Sequence, residues 1–146
     1  MPNATPNATP NATLIDAGPL IALFNPRDAD HALCRQFFEG FRGDLVTTWP
    51  VLTESAYMLS NTANAQRSLL QWVENGGLDV RHLNVDNVRS MLIYTQKYHD
   101  LPMDLADASL VALAVETGIT NIVSIDSDFD IHRLPNKGKL KNLLPA

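Results

Sequence analysis

Short apolar runs alternate along the chain with longer stretches of helical period. Thr13-Leu-Ile-Asp16 reads as a buried strand, and Ala17-Gly-Pro19 turns it into a helix reaching Phe24, with proline suited to a first helical turn. Asn25–Asp28 is a loop. From Ala29 to Phe41, Leu33, Phe37 and Phe41 keep to one stripe of a helix. Leu45–Thr48 is a second strand, and Trp49-Pro50 opens a helix to about Ser60. A further helix runs from Asn64 to Glu74 and stops at Gly76-Gly77. Leu78–Leu83 fits a third strand. Helices follow over Val85–Tyr98 and Asp104–Thr117, the latter ended by Gly118. Asn121–Ile125 is a strand and Phe129–Leu134 a last edge strand. Strands separated by helices imply right-handed crossovers and a mostly parallel sheet. Continuous pairs such as Leu14-Ile15 and Ile122-Val123 suit strands covered on both faces. The expected fold is a three-layer α/β/α sandwich around about five short strands. Its crevice should lie beyond the strands' carboxyl ends.

Composition supports one such domain. Leu, Ile, Val and Phe supply 41 of 146 residues, enough for a sizeable core. Residues 1–12 do not join it. The segment repeats MPNA-TPNA-TPNA without Leu, Ile, Val or Phe, and it lacks the basic and apolar regions of a signal peptide. It reads as a disordered tail, from a translated repeat or a start placed too far upstream, and the globular domain spans 13–146. Asn3, Asn7 and Asn11 head glycosylation sequons, but nothing supports a secretory route. No apolar run is long enough for a transmembrane helix. The single cysteine, Cys34, excludes an intramolecular disulfide and a cysteine-rich zinc site. It reads as a core thiol, and a cytoplasmic, reducing setting is the simplest.

The net charge of −5 argues against a generic nucleic-acid coat. It leaves room for a nuclease, whose metal-binding carboxylates count as negative charge. Residues 131–146 hold Arg133, Lys137, Lys139 and Lys141 and no acid, leaving −9 for the rest. That stretch reads as a solvated basic tail. Arg27, Arg35, Arg42 and Arg67 are ordinary surface arginines on the simplest reading, and crevice-mouth residues on the other. Trp49, Tyr57 and Trp72 could stack on single-stranded bases; core packing is the simpler reading for each.

Several acids fall where the crevice should be. Asp16 and Asp126 each follow a strand, as a turn-initiating Asp also would. Glu54 shares a helical stripe with Val51, Ser55 and Met58. Either it meets a cation there or it sits at the stripe's exposed edge. Asp107 lies on a stripe with Val111, Ala114 and Val115, while Asp104, three residues earlier, suits either an N-cap or metal duty. Converging carboxylates repel unless a cation neutralises them, and oxygen ligands suit Mg²⁺ or Mn²⁺. His31, His82, His99 and His132 are scattered. No zinc, phosphate-loop or serine-triad signature competes.

Four segments then match a known family. Leu14-Ile-Asp16-Ala-Gly-Pro-Leu-Ile-Ala22, Thr47-Thr-Trp-Pro-Val-Leu-Thr-Glu54, Leu105-Ala-Asp107-Ala-Ser-Leu-Val-Ala-Leu-Ala114 and Val123-Ser-Ile-Asp126-Ser-Asp-Phe129, in that order, resemble PIN-domain ribonucleases. The likeness is to their VapC-like toxins of toxin–antitoxin pairs. The resemblance implies an endoribonuclease dependent on Mg²⁺ or Mn²⁺, with Asp16, Glu54, Asp107 and Asp126 as its metal and catalytic acids. Ser124 would supply a hydroxyl beside them, and Asp104 and Asp128 would be auxiliary. It further implies an RNA substrate, water attack leaving a 5′-phosphate, a homodimer, and an inhibitory antitoxin. For that antitoxin, an apolar groove walled by the Asn25–Asp30 loop and the Trp49–Glu74 helices is the expected seat. Two alternatives stay open: a housekeeping RNA-processing or DNA-cleaving nuclease, and a catalytically idle α/β interaction module.

Overall fold

A computed structural model describes residues 11–97, 103–125 and 140–145 of the chain. The elements run β1 (Ala12–Ile15), α1 (Ala17–Phe24), α2 (His31–Gly40), β2 (Asp44–Thr48), α3 (Trp49–Met58), α4 (Ala65–Glu74), β3 (Asp79–Arg81), α5 (Val85–Lys97), α6 (Leu105–Thr117), β4 (Asn121–Val123) and β5 (Lys141–Asn142). The strands form one parallel sheet in the order β3-β2-β1-β4-β5, flanked by the helices. This is the α/β/α arrangement that the alternating pattern predicts.

The central strand, β1, is buried along its whole length, as its unbroken apolar run requires. It starts at Ala12, and the carbonyl of Asn11 already accepts from the Asp44 N–H at 3.1 Å. The sheet thus begins at the end of the segment read as tail. The third strand is shorter than the pattern suggests and lies at the sheet edge, half exposed. The expected strand over Phe129–Leu134 lies outside the described residues. Among those described, the last strand is Lys141–Asn142, inside the stretch read as a basic tail.

Capping fixes the helix starts. Asp16 accepts from the Ala17 N–H at 2.8 Å, Thr48 caps α3, and Asp104 accepts from the Asp107 N–H at 2.8 Å. Asn84 and Asn87 bond each other's backbone reciprocally at the start of α5. Gly118, at φ +78°, closes α6 in the left-handed conformation that glycine adopts without strain.

The core runs on both sides of the sheet through Leu14, Ile15, Leu20, Val46, Leu110, Leu113 and Ile122, all essentially inaccessible. Nine of the thirteen residues of α6 are buried, so it is enclosed rather than amphipathic. Cys34 is buried in the same core, and burial first, then the charges of Asp30 and Asp28, push its thiol up to about 11. The thiol is inert packing, as expected. Trp72 also packs as expected: its ring lies 5.6 Å from that of Phe24, and a Cβ on Gly77 would run into its indole.

Candidate active site

The strand order fixes where a site can form. Successive strands step outward from β1 through β2 to β3, and the chain then returns to the other side of β1 with β4 and β5. The direction of winding therefore reverses between β1 and β4. In open α/β sheets this reversal opens a crevice at the carboxyl ends of the two strands. Asp16 follows β1 there and Ser124 follows β4.

These two residues meet. The Ser124 hydroxyl donates to Asp16 Oδ2 at 3.1 Å, while Asp16 Oδ1 accepts from the first amide of α1. The Asp16 N–H also donates to the Val123 carbonyl at 3.1 Å. Asp16 is 7% exposed and Ser124 1%. A buried carboxylate needs donors of this kind, and these set its orientation.

Ser124 is held in turn by a residue that the sequence reading missed. Asn142 on β5 accepts from the Ser124 N–H at 3.1 Å and donates to the Ser124 carbonyl at 2.7 Å. Its side-chain oxygen also accepts from the Leu144 N–H. No motif marks Asn142. The one available signal is a short apolar pattern around a polar residue, Leu140 to Leu144, too brief to separate from a tail.

A second group of acids gathers where α3 approaches the start of α6. Glu54 is exposed on α3, at the edge of a stripe whose Val51 and Ser55 are buried. Its carboxyl is nevertheless raised above the usual range, first by partial desolvation and then by the negative charge of Asp104. Asp104 is the N-cap of α6, so the capping reading holds, and its charge still bears on Glu54. Asp107 sits half-buried in the first turn of α6. A buried hydroxyl pair ties the two helices together. Ser109 Oγ donates to the Ala106 carbonyl at 2.7 Å and lies 2.6 Å from Thr48 Oγ1, the cap of α3. Thr47 adds a bond from its hydroxyl to the Ile15 carbonyl, beside Asp16.

Among the described residues, no three acidic, histidine or cysteine side chains form a ready metal cage. Asp126 and Asp128 lie outside those residues. The donor set that remains is all oxygen. One acid is oriented by a hydroxyl, and another is crowded by a like charge. That chemistry fits a hard cation, which takes one or two carboxylates and keeps several waters. It does not fit zinc.

The surroundings differ from expectation at the aromatics. Trp49 is 46% exposed and Tyr57 75% exposed on α3, so neither is core, and Met58 also faces outward. Arg35 is paired with Glu39 at 3.5 Å on the exposed face of α2. The Asn25–Arg27 loop and residues Asn61–Ala63 do enclose a recess of about 470 Å³ between the expected walls, with Arg27 in its rim and a lining of mixed polar and apolar surface. A neighbouring recess along α4 holds Arg67 and is likewise mixed. None of the candidate acids lines either recess.

Comparison with known proteins places this geometry. Ribonuclease VapC26 of Mycobacterium tuberculosis (strain ATCC 25618 / H37Rv) is 24% identical over 115 residues, covering 77% of this chain and 85% of the relative. Among solved structures, VapC20 of Mycobacterium tuberculosis, described as a Sarcin-Ricin loop cleaving toxin, superposes with a TM-score of 0.75 at 20% identity. That match covers 82% of this chain and 93% of that one. A toxin–antitoxin complex from Klebsiella pneumoniae gives a TM-score of 0.64 at 16% identity, covering 90% and 99%. VapBC2 of Rickettsia felis, bound to a promoter DNA fragment, gives 0.63 at 13%, covering 90% and 98%. No described helix is long and apolar enough to cross a membrane. The PIN domain profile matches residues 13–133, and the chain therefore belongs to the PIN domain family.

Proposed function

We propose that this protein is an endoribonuclease that hydrolyses RNA phosphodiester bonds at an acidic site dependent on Mg²⁺ or Mn²⁺, and that it is the toxin of a toxin–antitoxin pair. The observation that carries the reading is Asp16, fixed by Ser124 where the sheet winding reverses, within a family whose similar members include a ribonuclease and antitoxin-bound toxins. Its natural setting is the cytoplasm, its partner an antitoxin, and its working form a homodimer.

In this reading Asp16 and Asp107 would be the principal holders of the metal, partly through water, with Asp126 completing the set. A bound divalent ion would lower the pKa of a coordinated water and neutralise charge on the phosphate. The protein's own groups do the positioning. Ser124 holds one oxygen of Asp16, leaving the carboxylate a fixed direction. Glu54, whose carboxyl is already pushed toward protonation, is suited to take a proton from the attacking water. The Thr48–Ser109 bond keeps α3 and α6, and so Glu54 and Asp107, in register. Asp104 caps α6 and supplies the charge that tunes Glu54.

The test is cleavage of total RNA by EDTA-treated protein with and without Mg²⁺ or Mn²⁺, followed by sequencing of the cut ends. Metal-dependent fragments with 5′-phosphates are expected. Cleavage equally fast in EDTA, or no cleavage with either metal, would overturn the reading.

A further inference from the structure

An exposed indole at the rim of a catalytic crevice calls for an explanation, because tryptophan is ordinarily well buried. Trp49 is the first residue of α3 and His82 follows β3. Thr48 pairs with Arg81 across the parallel strands β2 and β3, so Trp49 and His82 each stand one residue beyond a strand end, side by side. Their rings lie 5.9 Å apart at 42°. Leu14 pairs with Val46, which puts Asp16 level with Thr48 on the next strand. The order along the rim is therefore His82, Trp49, Asp16, Ser124. With strands ~4.8 Å apart, the backbone of Thr48, which directly precedes the indole, stands about one strand spacing from that of the catalytic acid.

We propose that Trp49, backed by His82, is a stacking platform for one unpaired base of the RNA substrate, next to the nucleotide whose phosphate is cut. This rests on the ribonuclease reading and adds a substrate-positioning residue to it.

Three observations favour a base. The backbone that carries the ring is fixed before RNA arrives, and the ring itself lies against His82. Thr48 caps its helix, Pro50 stiffens the first turn, and the Thr53 hydroxyl donates to the Trp49 carbonyl at 2.8 Å. A preset aromatic face binds with little ordering cost. The adjacent cation is already engaged, since Arg81 bonds Asp79 at 2.6 Å. Stacking rather than phosphate pairing is thus the interaction this end of the rim offers. The chain is also acidic overall, so contacts that need no net positive charge gain importance. Stacking on an aromatic side chain is such a contact, and it accepts any base.

The experiment uses a single-stranded adenosine octaribonucleotide in EDTA, so that binding is read without cleavage. The protein has two tryptophans, and Trp72 is packed against Phe24. The octamer should quench emission from the parent, and Trp49→Phe should abolish that quenching. Trp49→Leu should weaken binding about tenfold, by the same factor at low and high salt, while Trp49→Phe retains most of it. With Mg²⁺ and total RNA, Trp49→Leu should raise KM far more than it lowers kcat. His82→Ala should give a smaller loss in the same direction. The two readings fail separately. RNA cut with unchanged KM by Trp49→Leu, together with no quenching of the parent, would overturn the platform and leave the nuclease standing. Quenching and weakened binding without any metal-dependent cleavage would overturn the nuclease and leave an RNA platform. Equal defects in Trp49→Phe and Trp49→Leu would assign the ring to packing. Loss of self-association or of antitoxin binding with RNA binding intact would assign it to a protein interface. Either result overturns the proposal. If Trp49→Leu does not fold, Trp49→Phe quenching and His82→Ala binding decide.

Discussion

Glu54 is the residue at which position and charge conflict most plainly. Its carboxyl holds its proton more tightly in the folded protein than in the unfolded chain, through desolvation and then Asp104. A raised carboxyl pKa favours folding at pH below the unfolded value, about 4.3. That contribution is lost as pH rises through the folded value. The metal-free parent should therefore gain stability relative to Glu54→Gln on going from pH 7 to pH 4 in urea titrations. With Mg²⁺ at neutral pH the order should reverse, because a cation favours the charged form. Neighbouring acids predict different phenotypes. Asp107→Asn should cut RNA cleavage by orders of magnitude, since metal positioning and water activation both suffer. Its metal-free stability should change by less than about 1 kcal/mol, relief of repulsion offsetting the lost helix-dipole attraction. Mg²⁺ should raise its Tm less than that of the parent. Asp104→Ala should instead lose about 0.5–2 kcal/mol with its cap, return Glu54 toward an ordinary pKa, and keep most activity. An Asp107→Asn protein that cuts RNA normally would show Asp107 to be a helix-start residue only.

At the scale of elements, what was legible follows from the range of the interaction. Strand ends and helix caps are local, so Asp16 and Asp104 could be placed from a few adjacent residues, whereas Ser124 stood out only through the family resemblance. Glu54 and Asp107 could be assigned to helices from the local pattern. Their relation could not be read, because it depends on Thr48 meeting Ser109 across 61 positions. Stripes misled where a helix is not amphipathic. The pattern put Met58 and Val115 inward, yet they are 57% and 42% exposed. The last strand, β5, was invisible because two residues carry no period, and its value lies in one long-range side chain. Asn142→Ala should cost about 1–3 kcal/mol in urea titrations, by leaving Ser124 backbone groups without partners. It should also diminish the Mg²⁺-induced rise in Tm, because Ser124 in turn directs Asp16. A variant that loses stability but keeps the full metal response would detach Asn142 from the site.

At the scale of the molecule, the surface is divided. The recesses at the α1–α2 loop and along α4 mix polar and apolar lining, while Val85, Val88, Leu92 and Ile93 leave apolar side chains exposed on α5. An antitoxin helix seeking apolar surface thus has two places to dock, the recess at the α1–α2 loop and the exposed face of α5. Expression of this chain alone should arrest growth, and co-expression with its cognate antitoxin should restore growth. Unimpaired growth on expression alone would count heavily against the toxin reading.

The bond from Ser124 to Asp16 joins residues 108 positions apart, and the Asn142 clamp lies later still. A ribosome therefore releases the acid of the first strand long before it makes the groups that aim it. At synthesis rates of ~5–20 residues per second, that interval is roughly 5–20 s. Throughout it Asp16 lacks the Ser124 bond that orients it. On the nuclease reading, the messenger and the ribosome are spared until Ser124 and Asn142 have been made. Premature termination upstream of β5 should yield a fragment that does not cut RNA.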